Sequence, residues 1–382
     1  MEIVLPQGPR SGQSVAPVPV VYGGMTPHMA ASYLHDAGIT TRSFSETLQT
    51  MYPHDDLIER LVRFYVIAGT RANNHSLTRR FENWMKNRNC PTNREDIFKI
   101  AYALKLDESQ LDYLLGLTTG YCIQYRDGYE LVLAWFLRKG YGYREALEFH
   151  ASLPKYEPHE TMSPVMHTHE TRRLKAELTN IRTLDDLHAF YLLNMHHFGT
   201  QHLRGHAIFD RFLSQLIQPT SLLTLSESTY SIERIMQEYL SMHMPTTRNR
   251  KSLTQLQRII KKEWPNATTI KSVLNHTKDV PRKLLILLYV VTENCGIPEN
   301  SPALVSAPGF VEASASNSLP AIEQRMNDHW WTLNAILRDC GMAALDPRNA
   351  FDWLVLYAIS VKDDEPMSKR MEQVIDELFA LE

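Results

Sequence analysis

Apolar residues recur along most of this chain at spacings of three and four, the period of a helix with one buried face. The stretch that shows it best runs from Asn74 to Leu117. Leu77, Phe81, Trp84 and Met85 share one side of a predicted helix for which Ser76 is a suitable N-cap. A polar break ending in Pro91 suits a turn, since proline cannot continue a helix. Ile97, Ile100, Ala101 and Leu104 then define a second helix, and Leu111, Leu114 and Leu115 a short third. Upstream, Leu57, Leu61, Phe64, Tyr65 and Ala68 line one side of a helix over 55–68.

The same pattern continues beyond Leu117. GYELVLAWFLRKG and YREALEFHASLP predict two helices broken at Gly140 and Pro154. LDDLHAFYLLNMHH, HAIFDRFLSQLI and SIERIMQEYLSM follow, and later IEQRMNDHWWTLNAILRDCG and NAFDWLVLYAIS. Pro366 opens a last amphipathic helix with Met367, Met371, Val374, Ile375, Leu378 and Phe379 on one stripe, either core or a seam for self-association or another protein. No run of alternating β-branched residues predicts a strand. The expected fold is all-α and multi-domain.

Composition marks the boundaries. Residues 1–26, rich in Pro, Gly, Ser and Val, read as a flexible arm with a short extended piece at Val18 to Tyr22. Residues 27–154 read as a first helical domain, 155–170 as a polar linker, and 171–294 as a second helical domain. A Pro/Ser/Ala-rich linker over 295–320 and a C-terminal helical segment over 321–382 complete the plan.

The stretch FENWMKNRNCPTNREDIFKIAYALKLDESQLDYLL resembles the latter half of a lambda-repressor-like (XRE-type) helix-turn-helix domain. That family follows its recognition helix with a Pro-containing loop, a helix of the l-x-k-I-A-x-A-L kind and a closing x-x-e-L-x-x-L-L. The resemblance covers about residues 74–117. It departs upstream, where Gly69 to Asn74 replaces the family's short turn between its first two helices. A weaker echo lies at about 252–292, where Asn266-Ala267-Thr268-Thr269-Ile270-Lys271-Ser272-Val273-Leu274 is similar to a recognition helix anchored by Ile270, Val273 and Leu274. Pro281 and LLILLYVV there correspond to Pro91 and IFKIAYAL, which suggests an internal duplication.

Charge sharpens this picture. The whole chain carries a formal net charge of −3, with 43% hydrophobic and 22% charged residues, as in an ordinary globular protein. Eight basic residues (Arg71, Arg79, Arg80, Lys86, Arg88, Arg94, Lys99, Lys105) face only Glu82, Glu95 and Asp96 in the first unit. From Arg248 to Lys283, ten Lys/Arg stand against Glu263 and Asp279. Such segregation is a footprint for a polyanion, or else a pair of solvated faces neutralised in the fold. The resemblance implies duplex DNA, with basic groups on phosphates and short polar groups on base edges. The expected contacts are Arg71, Asn74, His75, Thr78, Arg79, Arg80 and Arg88 in the first unit. In the second they are Asn266, Thr268, Thr269, Lys271, Ser272, Asn275, Arg282 and Lys283. If only one unit reads DNA, its higher charge favours the second.

Other chemistries find little support. Gly-rich phosphate loops, GxSxG and HExxH are missing from the chain. His196, His197, His202 and His206, with His167 and His169, invite a metal, but i,i+4 histidines supply only two of the roughly four ligands zinc needs. The expectation is no catalytic residue, no metal and no cofactor. Cys90, Cys122, Cys295 and Cys340 lie far apart, against a disulfide framework. Leu284 to Val291, the longest apolar run, is far short of the ~20 residues that span a bilayer. The sequence therefore reads as a cytoplasmic, bacterial-type, non-enzymatic DNA-binding transcription regulator, or alternatively as a helical adaptor that binds other proteins in a bacterial assembly.

Overall fold

The computed structural model describes residues 25–36, 43–91, 93–154, 170–198, 203–217, 232–245, 253–292, 319–360 and 365–380. Eighteen α-helices account for the architecture of these residues, and they contain no strand, only one isolated bridge. The all-α expectation holds. The flexible arm, its extended piece at Val18 to Tyr22, the 155–169 part of the first linker and most of the second linker lie outside the described residues.

The chain forms two compact units, which interleave in sequence. One comprises Arg42–Arg204 with Leu337–Ala343; the other comprises Met1–Thr41, Gly205–Ile336 and Ala344–Glu382. This differs from the expected plan of successive domains, and the cores show why. Leu174, Leu178, Leu187 and Phe190, assigned to a second domain, share one buried cluster with Leu61, Phe81 and Trp135. The C-terminal segment is no appendage either, because its Trp353 and Tyr357 are fully buried.

After α1 (Pro27–His35), which belongs to the other unit, the first of these units runs through α2 (Phe44–Met51), α3 (Leu57–Ile67), α4 (Asn74–Met85), α5 (Arg94–Leu104) and α6 (Glu108–Thr119). It continues with α7 (Gly128–Lys139), α8 (Tyr143–Ser152), α9 (Glu170–Asn180) and α10 (Leu184–Asn194). α4 starts one turn earlier than the sequence suggests: Asn73 is the N-cap, its side chain accepting from the Ser76 amide at 2.8 Å. The predicted anchors Leu77, Phe81 and Trp84 are buried, packing on α3 and α2. α5 is buried on nearly every side and ends in a left-handed Lys105 at φ 55°. The Arg60 guanidinium donates to the Ala103 carbonyl at 2.7 Å, so α3 satisfies an acceptor that the end of α5 leaves open.

Residues 337–343 join this unit through a two-stranded bridge. Tyr121 pairs with Met342; the Cys122 amide donates to the Gly341 carbonyl at 3.0 Å and the Ala343 amide to the Gly120 carbonyl at 3.1 Å. Gly116 permits the approach: a Cβ there would lie 2.8 Å from the Ala343 Cβ.

The other unit holds α1, α11 (Leu203–Ile217, from Gly205 onward), α12 (Ile232–Ile235) with a π-helical turn over Met236–Leu240, α13 (Gln255–Lys261), α14 (Ala267–Leu274) and α15 (Arg282–Val291). α16 (Leu319–Asp339, up to Ile336), α17 (Ala350–Ile359) and α18 (Met367–Ala380) complete it. α17 reads AFDWLVLYAI, apolar all round, and all ten of its residues are buried, as such a helix requires. α18 packs on α1 and α17. Its stripe of Met367, Met371, Val374, Ile375 and Leu378 is buried, so the alternative of an open partner seam there gives way to core.

Candidate nucleic-acid interface

On α4 the sequence sorts its charges by position. Leu77, Phe81 and Trp84 take the buried side, which leaves His75, Arg79, Asn83 and Lys86 on the side away from the core. Arg71, in the turn before α4, is exposed, as are Asn74, His75, Arg79 and Arg88. Thr78 is half-buried, and its hydroxyl donates to the Asn74 carbonyl at 2.9 Å. Arg88 donates to the Asn83 side chain at 3.4 Å, and Lys86 pairs with Glu82 one turn back at 3.2 Å.

Arg80 does something else. Its guanidinium pairs with the Asp96 carboxylate and lies over the Trp84 ring, 4.7 Å from the centroid. The Tyr65 hydroxyl donates to the same Asp96 at 3.0 Å, so α3, α4 and α5 meet at one carboxylate. Burial, followed by the charge of Asp96, pushes the Tyr65 phenol well above its ordinary range, so it stays a donor. Arg94 is likewise spent inside: it forks onto Glu130 at 2.5 and 2.7 Å and donates to the Cys122 carbonyl at 2.7 Å. Lys99 pairs with Glu95 at 2.7 Å. Three of the eight basic groups therefore build the unit, and the outward face keeps Arg71, Arg79 and Arg88.

The second basic stretch is arranged differently. α14 is only eight residues long, with Asn266 as its N-cap; that side chain accepts from the Thr269 amide at 2.9 Å and from the Thr269 hydroxyl at 3.2 Å. Ile270 and Val273 are buried as expected, while Leu274 is only half-buried. Thr268 and Asn275 are exposed, and the Ser272 hydroxyl donates to the Thr268 carbonyl at 2.9 Å. Lys271 is exposed but pairs with Glu233 at 2.5 Å.

Two expected phosphate contacts turn inward. Arg282 forks onto Asp352 at 2.8 Å to each oxygen, with the Arg side chain 12% and the Asp side chain 2% exposed. Lys283 donates to the carbonyls of Ile260 at 2.8 Å and of Lys262, at the end of α13, and its ammonium lies 4.6 Å from the Phe351 ring centroid. Burial pulls its amine down to about 7, against the opposing charges of Glu263 and Asp352. Both residues sit just after Pro281, where α15 begins against α17; the carboxylate that takes Arg282 is 70 residues away, while Lys283 is held by backbone carbonyls of the basic stretch itself. Arg248, Arg250 and Lys251 fall outside the described residues. The expected primacy of the second unit therefore loses its two best-placed charges.

Compared with protein-family models, curated proteins and solved structures, the chain matches none.

What distinguishes the α4 face is a helix held by three neighbours and carrying unpaired polar groups outward. Arg71, His75 and Arg79 make no ion pair with any described residue. Such a face can neutralise phosphates while Asn74 and His75 offer hydrogen bonds from the first turn. The described residues hold no group of three or more potential metal ligands, and no described helix is long and apolar enough to cross a membrane. His196 lies beside His197 with ring centroids 3.8 Å apart and the rings tilted by 46°, and His206 is buried beside His276 and Asp279, so the expected histidine set is split between two places. His202, His167 and His169 lie outside the described residues.

Proposed function

We propose that this chain is a non-enzymatic, helix-turn-helix type DNA-binding protein that regulates transcription and presents α4 to the major groove of duplex DNA. The observation that carries the reading is the outward face of α4 and its preceding turn: Arg71, Asn74, His75, Arg79 and Arg88 are exposed, while Arg80 ties the helix to Asp96 of α5 from behind. The order of helices also supports it. α2 and α3 precede α4, and α5 and α6 follow, with α2 packed on α4 and α6 and α3 packed on α4 and α5.

Arg71, Arg79 and Arg88 would hold the phosphates; Asn74, His75 and Thr78 are the side chains nearest to where base edges would lie. Asn266, Thr268, Thr269, Lys271, Ser272 and Asn275 form at most an accessory contact, since α14 is short and Lys271 is paired.

The test is binding of a fluorescent random-sequence duplex pool. With Arg71, Arg79 and Arg88 each on a phosphate, at about 0.9 counterions apiece, a fourfold rise in salt lowers affinity roughly fortyfold. An Arg71→Ala, Arg79→Ala, Arg88→Ala variant loses binding and flattens that slope, whereas Lys271→Ala changes little. No binding at low salt, by a protein with its full helical content, would refute the reading and leave the protein-binding adaptor.

A further inference from the structure

α10 exposes leucines as well as its charged residues. One face, Leu187, Phe190, Tyr191 and Asn194, is buried in the unit's core. The opposite face follows from ~100° per residue, continued by the turn over Met195–His197. It carries Asp185, Ala189, Leu192, Leu193 and His196 within one stripe, all exposed. Leu192 is 41% and Leu193 71% exposed. Leu192 and Leu193 leave an apolar patch on this side that no described residue covers.

The order of residues along the stripe says what fits it. Read antiparallel against itself, with the midpoint between Phe190 and Tyr191, Asp185 falls opposite His196 and Ala189 opposite Leu192, while Leu193 meets His188. Each end then places a carboxylate against an imidazole whose N–H can donate to it, and the small Ala189 gives the leucine of the other helix room to approach. Neither Asp185 nor His196 forms an ion pair with a described residue. We infer that this face of α10 is a self-complementary docking surface whose occupant is α10 of a second copy of the chain.

The inference does not depend on the DNA-binding reading. A single helical face supplies only part of the ~800 Å² per partner of a stable interface, so the association is reversible and concentration-dependent.

Sedimentation equilibrium over a range of protein concentrations tests it, with circular dichroism confirming the fold of every variant. Leu192→Asp, which sets a carboxylate against Ala189, raises the dimer dissociation constant by about tenfold or more, a change of about 1.4 kcal/mol. Asp185→His and His196→Asp, each setting like groups against one another, both weaken the dimer. The double variant Asp185→His/His196→Asp restores it, because the swap recreates the same pairs. A wild-type chain that stays monomeric throughout, a dimer indifferent to Leu192→Asp, or a double variant no better than its singles would each overturn the proposal.

Discussion

Replacing Arg282 by alanine separates a structural charge from a recognition charge. Its guanidinium donates to both oxygens of Asp352 and to the Ala344 carbonyl at 3.1 Å, and Asp352 is 1% exposed. Without Arg282 the buried carboxylate keeps the Asp346 amide at 2.9 Å but loses its counter-charge. Breaking a buried pair from one side costs about 3–5 kcal/mol, because the remaining charge can neither reach water nor find a partner. An exposed arginine on a phosphate-binding face would cost at most about 0.5 kcal/mol of stability. The two accounts differ by several-fold in a quantity that urea titration followed by circular dichroism can resolve. Two units can melt in two steps, so the midpoint of the step reporting α15 and α17 is the one to follow. A second arm removes both partners: Arg282→Met with Asp352→Leu should recover much of the loss, since apolar replacement of a buried pair is often near neutral. If Arg282→Ala costs less than about 1 kcal/mol, or the double variant is as damaged as the sum of the singles, the buried pair is misread.

Two further expectations test other parts. Trp84 is 3% exposed between Phe44, Phe81 and Arg80, so Trp84→Ala should cost about 3–5 kcal/mol in the unit that contains α4; an unmoved melting transition would place the ring at an interface instead. The Lys283 amine falls from about 10.4 in the unfolded chain to about 7 in the fold, so the unfolded chain binds more protons between those values. Stability should therefore rise with pH across that window, and Lys283→Met should flatten the rise; an identical pH profile for both proteins would refute it.

The helices were legible because their burial follows local periodicity. Leu57, Leu61 and Tyr65, or Ile97, Ile100 and Leu104, announce their core face within a few turns. Caps were legible to within a turn: Ser76 is a suitable N-cap by residue type, but Asn73 takes that place one turn earlier and its side chain reaches the Ser76 amide. What local sequence could not reveal is which basic residue meets which distant acid. Arg80 and Arg79 are neighbours in the same helix, yet one turns to Asp96 and the other to solvent, a choice set by the register of α4 on α5. Arg282 and Lys283 look like a phosphate clamp until α17 is folded against them. The interleaved units were hidden for the same reason, since the bridge between Tyr121 and Met342 rests on backbone groups that every sequence has.

That bridge, and the packing of α1 on α18, set a timetable for the chain as it leaves the ribosome. The apolar side of α1 (Ala30, Ala31 and Leu34) is covered by α18. At about 5–20 residues per second, the roughly 340 residues between them take on the order of 20–70 s to synthesise. Residues 43–198 can collapse on their own leucines before the turn over 337–343 that completes their unit has been made. The nascent protein thus holds the apolar side of α1 uncovered until α18 has been synthesised.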